Sequence, residues 1–322
     1  MIVVTGATGN AGSEVVRALT ARGARVRAFV RDPGRARAVL GGDTELGGDA
    51  GLGGDAGLGG DAGLGGDAEL AVGDFADPRS VRAAVEGADA LLLSCADDPR
   101  RVGWETAAID AAVEAGVRRI VKLSAMAAEP GSPVAFWDWH GQVERHLRAS
   151  GAGWVILRAS WYMTNLLAAA PQVAAEGRLY APAGEARIAM IDPRDVGAAA
   201  AAVLSDFCRE ASPGHEGHTY LLSGPRAITY AEVAAELSAA TASKVEFVDV
   251  PGDAARQAMM HDGMPGFVAG QLVAMFARLR QGAGAQVTDA VETLTGSAPR
   301  DFASFAAGHA RLFTPVATGG AR

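Results

Sequence analysis

Three glycines directly follow the first β-branched run of the chain, and they constrain its fold more than any other feature. Residues 2–5 are predicted to form a strand, the sequence Gly-Ala-Thr-Gly-Asn-Ala-Gly follows, and a helical pattern starts at once. In the order strand, loop and helix, Gly6 permits a tight turn, Gly9 lets the backbone approach a pyrophosphate, and Gly12 allows the helix to pack closely. An ordinary turn between strand and helix is the alternative interpretation. The loop residues predicted to bind a dinucleotide are Gly6, Thr8, Gly9, Asn10, Ala11 and Gly12.

Short β-branched runs then alternate with helical patterns, which predicts βαβ units and a parallel sheet. The predicted strands are residues 2–5, 26–30, 70–72, 90–94, 119–123 and 154–158, and the predicted helices are 11–22, 33–40, 78–85, 105–115 and 137–149. We therefore expect an α/β fold with a Rossmann-type doubly wound parallel sheet, an NAD(P)-binding domain over residues 1–158.

Residues 159–322 are predicted to form a smaller C-terminal α/β lobe that covers the substrate, with some strands returning to the main sheet. Its expected strands are 219–222 and 245–250, and its expected helices are 193–206, 229–240, 265–281 and 301–313.

A low-complexity insert at residues 41–69 interrupts the alternation. It repeats the hexad Leu-Gly-Gly-Asp-Ala-Gly and contains most of the acidic excess, about −7 of the net charge of −8. About four hexads are too few for a β-helix, so we interpret the insert as a solvated loop at the sheet edge opposite the cofactor. The rest of the chain is nearly neutral and has no basic cluster, which argues against nucleic acid as a partner.

The cysteines indicate a reducing compartment. Cys95 and Cys208 are far apart and form no CxxC pair, and the chain has neither a signal-like start nor a long apolar run. We therefore expect a cytoplasmic protein without a membrane segment. No metal site is predicted either, because the two histidines of residues 215–218 lack the HExxH spacing and a third ligand.

The end of the second predicted strand should distinguish the two nicotinamide cofactors. Arg31 and Asp32 both lie about twenty residues past the glycines, where an acidic residue pairs with the ribose hydroxyls of NAD and an arginine pairs with the 2′-phosphate of NADP. We expect Arg31 to face the phosphate, which favours NADP(H) over NAD(H). The alternative is a solvated arginine at a strand end.

Two further strand ends are predicted to touch the cofactor. Asp74 and Phe75 follow the third strand and could bracket the adenine ring, although Asp74 could instead cap the helix that begins near Pro78. Cys95 and Ala96 follow the fourth strand, and Cys95 is expected to be a buried, unreactive thiol.

The ordered set of motifs resembles the NmrA-like atypical short-chain dehydrogenase/reductases. The motifs are TGATGNAG, VRDP at 30–33, GDFADP at 73–78, VKLSA at 121–125, WVILR at 154–158, and TYAEVAAEL, VTDAVETLTG and PRDFASF from Thr229, Val287 and Pro299. The resemblance covers essentially the whole chain outside the insert. It implies NAD(P)H binding and one of two roles: a reductase of quinones or other conjugated carbonyls, or a redox-sensing regulator that binds the nucleotide without turning it over.

The Tyr–Lys dyad of the better-known short-chain dehydrogenases is absent, because no tyrosine stands four residues before Lys122 or Lys244. The family pattern implies that His140 takes the position where atypical members often have lysine. Glu144 lies one turn further on the same helical face and is expected to raise the pKa of His140, making it a proton donor. A surface His–Glu pair is the alternative.

Ser124 ends the fifth strand and could hydrogen-bond the substrate or the nicotinamide amide, or it could be an ordinary strand-ending serine. The residues predicted to contact a flat substrate are Trp137, Trp161, Tyr162 and Asn165, with an aromatic plug between the lobes as the alternative.

We therefore expect an NAD(P)H-dependent reductase of a quinone-like or conjugated aromatic carbonyl. Quinone reduction gives a phenolate-like oxygen with a conjugate-acid pKa of about 10, so it needs no strong proton donor. The partner would be a planar small molecule, and the sequence is compatible with a homodimer. The alternative is a non-catalytic NAD(P)-sensing regulator.

Overall fold

The computed structural model describes residues 1–41, 68–207 and 214–314 of the chain. Most of the insert predicted at residues 41–69 falls on residues 42–67 and so lies outside the described residues, as does Cys208. Ala68 and Glu69, which we assign to the insert from the sequence, belong instead to a strand.

Seven of the strands found among the described residues form one sheet. The strands are β1 Ile2–Val4, β2 Val26–Val30, β3 Ala68–Val72, β4 Ala90–Leu93, β5 Arg119–Ala125, β6 Gly153–Ala159, β7 Arg178–Ala181, β8 His218–Leu222 and β9 Glu246–Asp249. The main sheet has the order β3-β2-β1-β4-β5-β6-β8, and its pairs from β3 to β5 are parallel. This order confirms the predicted Rossmann-type doubly wound sheet.

Helices follow most of these strands. They are α1 Asn10–Thr20, α2 Pro33–Leu40, α3 Pro78–Val85, α4 Arg101–Glu114, α5 Ala135–Ala149, α6 Ala170–Glu176, α7 Pro193–Phe207, α8 Tyr230–Thr241, α9 Gly252–His261, α10 Gly266–Arg280, α11 Ala290–Thr295 and α12 Phe302–Phe313, with a 3-10 helix at Met163–Ala169. Local chemistry sets several starts: Asp32 and Asp77 cap α2 and α3, each of which begins with proline, as expected for helix N-termini.

The chain divides into two compact units. The first contains Met1–Gly131, Asp138–Arg158 and Pro193–Tyr220, and the second contains Ser132–Trp137, Ala159–Asp192 and Leu221–Arg322. Residues 193–220, which the sequence places in the C-terminal lobe, thus group with the first unit. There α7 packs along α1, and Gly197 lies so close to Glu14 that a Cβ would be 2.5 Å from the Cβ of Glu14.

The core of the first unit consists of strand residues buried against α4 and α5. Leu91, Leu93 and Ile120 from the sheet pack with Ile109 of α4 and Leu147 of α5. Each fully buried aliphatic side chain of this kind contributes about 1.5–3 kcal/mol relative to an exposed one. The packing holds α4 and α5 firmly against β5.

Several elements were not predicted. The strand expected at 245–250 is β9, which pairs in parallel with the unpredicted β7 and not with the main sheet. The helix expected from residue 105 begins four residues earlier, at Arg101, because buried charged residues obscure its apolar pattern. No helix in the described ranges is long and apolar enough to cross a bilayer.

Candidate functional site

The loop between β1 and α1 lies where the strand order of the main sheet reverses. In doubly wound sheets ligands bind at this point, beyond the carboxyl ends of the strands. Thr5, at the end of β1, is hydrogen-bonded to the end of the neighbouring strand β4. Its backbone N–H donates to the carbonyl oxygen of Leu92 on β4 (3.0 Å), and its Oγ1 accepts a hydrogen bond from the backbone N–H of Ser94 (2.9 Å). The loop therefore starts from a fixed position.

Two of the three predicted glycines are required by the loop geometry. Gly6 has a φ of +62°, which favours glycine, and a Cβ at this position would lie 2.9 Å from the carbonyl oxygen of Ser94. A Cβ at Gly12 would lie only 2.1 Å from the carbonyl oxygen of Gly6. A Cβ at Gly9 would lie 3.3 Å from the carbonyl oxygen of Gly6, so the local contacts at Gly9 restrict the residue type less.

The start of α1 suits an anionic group. Gly9 is the N-cap residue, no side chain caps the helix, and its first turn contains no acidic residue. The amide groups and the positive dipole end of such a helix favour a phosphate. Gly9 and Asn10 are exposed at this end, Thr8 is half-buried, and Ala11 is buried. The glycine loop leaves open a space that side chains at Gly6 or Gly12 would disturb, and it leads into a helix N-terminus without a side-chain cap. This arrangement fits the diphosphate of a dinucleotide.

Arg31 and Asp32, at the end of β2, have different roles. Oδ1 of the Asp32 carboxylate accepts hydrogen bonds from the backbone N–H groups of Gly34 (2.8 Å) and Arg35 (3.1 Å) and so caps α2. Arg31 is exposed. Hydrogen bonds from Arg100 lower the pKa of Asp98 to about 2, and the charge of Arg31 adds a smaller contribution in the same direction, so Arg31 lies in the neighbourhood of Asp98.

Asp74 and Phe75 form the next strand end. Asp74 accepts from the backbone N–H of Ala76 (2.8 Å) and does not cap α3, which Asp77 caps instead. That finding removes the capping alternative for Asp74. Phe75 is half-buried and packs edge-on against Phe29, with ring centroids 5.7 Å apart. Contact of either residue with a cofactor remains a prediction.

Cys95 and Ala96 follow β4; Cys95 is half-buried, less than the burial expected from the sequence, and Ala96 is exposed. Burial, with the negative charge of Glu105, raises the pKa of the Cys95 thiol to about 12. The thiolate, which is the reactive form, is therefore strongly disfavoured near neutral pH.

A buried charged cluster that the sequence analysis missed lies between β5 and α4. The Lys122 side chain is fully buried, and its Nζ lies 2.9 Å from Oε1 of Glu105; Oε2 of the same carboxylate accepts from Nε of Arg101 (3.1 Å). Burial opposes the ionisation of Glu105, but Arg101 and Lys122 outweigh it and lower its pKa. The sequence does contain a signal for this cluster, because Lys122 lies within the otherwise apolar β5. A buried charge needs an oppositely charged partner, so a nearby buried carboxylate could have been predicted.

His140 borders this cluster, and the structure corrects its predicted chemistry. It retains 8% exposure, and its Nδ1 lies 3.4 Å from Nζ of Lys122. Burial and the positive charges of Arg101, Lys122 and Arg158 lower the pKa of His140 well below its usual value. The expectation that Glu144 raises this pKa is wrong, because the Glu144 carboxylate is bound elsewhere.

Glu144 binds the end of β5 and two arginines. Ser124 Oγ donates to Oε1 of Glu144 (2.6 Å), and Arg158 and Arg148 also donate to this carboxylate. The interaction uses the hydroxyl proton of Ser124, so Ser124 can offer a ligand only its acceptor lone pairs while it is bound. An amide N–H₂ group would suit these lone pairs, whereas a carbonyl oxygen would not.

The predicted substrate residues all belong to the second unit. Trp137 is buried, Tyr162 is half-buried, and Asn165 is exposed at the 3-10 helix. Trp161 packs on Phe276, with ring centroids 5.4 Å apart. Its Nε1 is buried and has no hydrogen-bond partner among the described residues, which is uncommon for a buried donor.

The described ranges contain no group of three or more His, Cys, Asp or Glu side chains placed to hold a metal ion. His215 and His218 both lie next to Tyr220: Nδ1 of His215 is 3.0 Å from the Tyr220 hydroxyl, and the His218 ring stacks on the tyrosine ring.

Comparisons with known proteins agree with this architecture. The family model described as the NmrA-like family matches residues 1–302. The crystal structure of an NADPH-dependent quinone oxidoreductase of Escherichia coli in complex with NADPH superimposes with a TM-score of 0.79 and 28% identity, covering 95% of this chain and 98% of that chain.

Two curated relatives match almost end to end. The NAD(P)H azoreductase of Xenophilus azovorans is 35% identical over 313 residues, 97% of this chain and 99% of the relative. The (4-alkanoyl-5-oxo-2,5-dihydrofuran-3-yl)methyl phosphate reductase of Streptomyces griseus is 36% identical over 316 residues, 98% of this chain and all of the relative. The names of these relatives agree with the prediction of a reductase.

Proposed function

The chain belongs to the NmrA-like family, and from this membership and the geometry of its loop we propose that it is an NADPH-dependent reductase of quinone-like or other conjugated acceptors. The observation that carries the proposal is the glycine loop at the reversal of strand order, which fits a dinucleotide diphosphate. The azoreductase and quinone oxidoreductase relatives support an acceptor of this class, since both names describe flat conjugated groups.

Two parts of the first unit would hold the cofactor. The backbone at Gly6, Gly9 and the start of α1 would receive the diphosphate, and Arg31 would pair with the 2′-phosphate. Asp32 uses one carboxylate oxygen, Oδ1, to cap α2, and the neighbouring Arg31 is exposed at the strand end. The NADPH bound to the E. coli relative also supports this preference. When bound, the reduced nicotinamide supplies a hydride to the acceptor.

The low pKa of His140 restricts its part in the reaction. As a neutral imidazole it donates one hydrogen bond to the acceptor oxygen and does not deliver the proton of an imidazolium. Ser124 contributes an acceptor to the carboxamide of the nicotinamide. The phenolate-like oxygen of a reduced quinone, with a conjugate-acid pKa of about 10, takes its proton from water near neutral pH.

Aromatic and polar residues near the start of α5 and after β6 are the candidates for contact with the acceptor. Trp161 offers an aromatic face and an unpartnered indole N–H, and Trp137, Tyr162 and Asn165 are the other candidates. Truncating Trp161 is expected to affect the KM for the acceptor more than the affinity for NADPH.

The test is a steady-state panel of acceptors with NADPH and, separately, NADH. We expect rapid oxidation of NADPH with naphthoquinones and aromatic azo compounds and little with simple ketones or aldehydes. Calorimetry on the same preparation measures nucleotide binding. Tight binding of NADPH without turnover of any acceptor would contradict the reductase proposal and favour the nucleotide-sensing regulator; absence of binding would contradict both.

A further inference from the structure

The ammonium group of Lys122 has three acceptors within hydrogen-bond distance. They are Oε1 of Glu105 at 2.9 Å, the carbonyl oxygen of Leu123 at 2.5 Å and Nδ1 of His140 at 3.4 Å. An ammonium has three N–H bonds and no lone pair, so it can donate to all three and accept from none. In a fully buried position, each of these protons needs a partner.

This arrangement determines which nitrogen of His140 carries a proton. Nδ1 faces a group that only donates, so Nδ1 must accept. The ring is neutral, because burial and the charges of Arg101, Lys122 and Arg158 lower its pKa. A neutral imidazole whose Nδ1 accepts has its proton on Nε2. Nε2 makes no hydrogen bond to any other residue that the structure describes, so this N–H remains available.

We propose that Lys122 is a positioning residue: its ammonium holds His140 as the Nε2–H tautomer, so that the ring presents one fixed donor. The role of that donor in the reaction depends on the function proposed above, whereas the tautomer itself does not. Lys122 would act only through His140 and touch neither cofactor nor acceptor.

An ion pair with Glu105 accounts for only part of the surroundings of Lys122. Arg101 is shared between Glu105 and Asp97, so Lys122 supplies the second cation that balances these two carboxylates. A charge pair fixes only the distance from Nζ to the carboxylate, whereas this Nζ also lies 3.4 Å from Nδ1 of His140. Burial lowers the pKa of the Lys122 amine, so each of its N–H bonds needs a partner, and His140 is the partner of the third.

The first experiment is a long-range ¹H–¹⁵N correlation spectrum of the wild-type protein labelled at its histidines. A His140→Gln variant assigns the signal among the 6 histidines of the chain. We expect one neutral ring form with a protonated Nε2 and a bare Nδ1 at neutral pH. A protonated Nδ1, or a mixture of both tautomers, would overturn the proposal without any variant being needed.

Lys122→Met and Arg101→Met form a matched pair of variants. Both remove one cation from Glu105, but only the first removes the donor to Nδ1. We expect Lys122→Met to give a tautomer mixture and Arg101→Met to keep the Nε2–H form. A single Nε2–H tautomer in Lys122→Met, or an equal mixture in both, would show that Lys122 does not hold the ring.

Activity separates this inference from the proposed function. If the enzyme is a quinone reductase that uses His140, Lys122→Met should lower kcat at least fivefold while the KM for NADPH stays within twofold. Full turnover with a mixed tautomer would remove His140 from the proposed reaction but leave the positioning role of Lys122 intact.

Discussion

Arg158 holds the Glu144 carboxylate through two parallel hydrogen bonds, from Nε to Oε1 at 2.9 Å and from Nη2 to Oε2 at 2.7 Å. The same Nη2 donates to the carbonyl oxygen of Ala128 (2.8 Å). Arg158 thereby connects β6 with α5 and with the segment that follows β5. Because the bidentate geometry leaves little freedom, the end of β5 with Ser124 is held rigidly.

Replacing Glu144 with glutamine should destabilise the protein strongly. The change leaves two guanidinium groups facing a buried neutral amide, and breaking a buried pair costs about 3 kcal/mol of unfolding free energy. Glu114→Gln is the matched control, because its pair with Arg82 is about two-thirds exposed (side chains 64% and 65%) and contributes less than about 1 kcal/mol. Urea denaturation measures both; equal losses would contradict the structural role of Glu144.

Gly12→Ala should disturb both the fold and the cofactor loop. The new Cβ would lie 2.1 Å from the carbonyl oxygen of Gly6, so α1 must move away from the loop. We expect a cost of about 1–3 kcal/mol and an NADPH Kd raised more than tenfold by calorimetry. Gly103→Ala in α4 is the control and should leave the Kd unchanged. A Cβ at Gly103 would have no atom within 4 Å apart from its chain neighbours and the backbone of its own helix. An unaltered Kd in Gly12→Ala would separate the loop from the nucleotide.

Arg31→Ala should change the choice between the two cofactors. Only NADPH has the 2′-phosphate, and a hydrogen bond to a charged group contributes about 1.5–3 kcal/mol, so the NADPH Kd should rise at least tenfold. The NADH Kd should stay within about twofold. Arg35→Ala removes an exposed arginine of α2 and controls for net charge. If Arg31→Ala weakens both nucleotides equally, Arg31 does not recognise the phosphate.

His140 should make the folded protein sensitive to acid. Its pKa is lowered in the folded state by burial and by Arg101, Lys122 and Arg158, whereas in the unfolded chain it is about 6.5. Below that pH the unfolded chain binds a proton that the folded protein does not, so the free energy of unfolding falls as the pH decreases. The slope from this group is at most about 1.4 kcal/mol per pH unit.

The measurement is urea denaturation between pH 5 and 8, comparing wild type with His140→Gln. Other groups also titrate in this range, so the difference between the two proteins is the relevant quantity. We expect the variant to lose less stability on acidification. His261→Gln, at an exposed position ending α9, is the control. Parallel curves for wild type and His140→Gln would show that His140 titrates normally in the folded state.

The main sheet and its opening loop could be predicted because their signals are local. β-branched runs, the glycine spacing and the helix caps each act over a few residues, so the topology up to β6 follows from the sequence. The pairing of β7 with β9 could not be predicted, because both strands are only four residues long and their partner lies far along the chain.

The interior charges show why the site was harder to predict. His140 and Glu144 are one turn apart, and that spacing suggested that they bind each other. Both instead face β5, where His140 meets Lys122 and Glu144 meets Ser124. On a buried helix face, side chains bond to the element packed against them, and that element is fixed only by the tertiary fold.

The contact between Lys122 and Glu105 has a consequence for how such a chain can diverge. Substituting either residue alone passes through an intermediate with an unmatched charge in the interior, which tertiary packing tolerates poorly. Evolutionary change at this pair therefore requires two compensating substitutions. Related proteins that lack a lysine at the position of Lys122 should also differ at the position of Glu105 or in the residues around it.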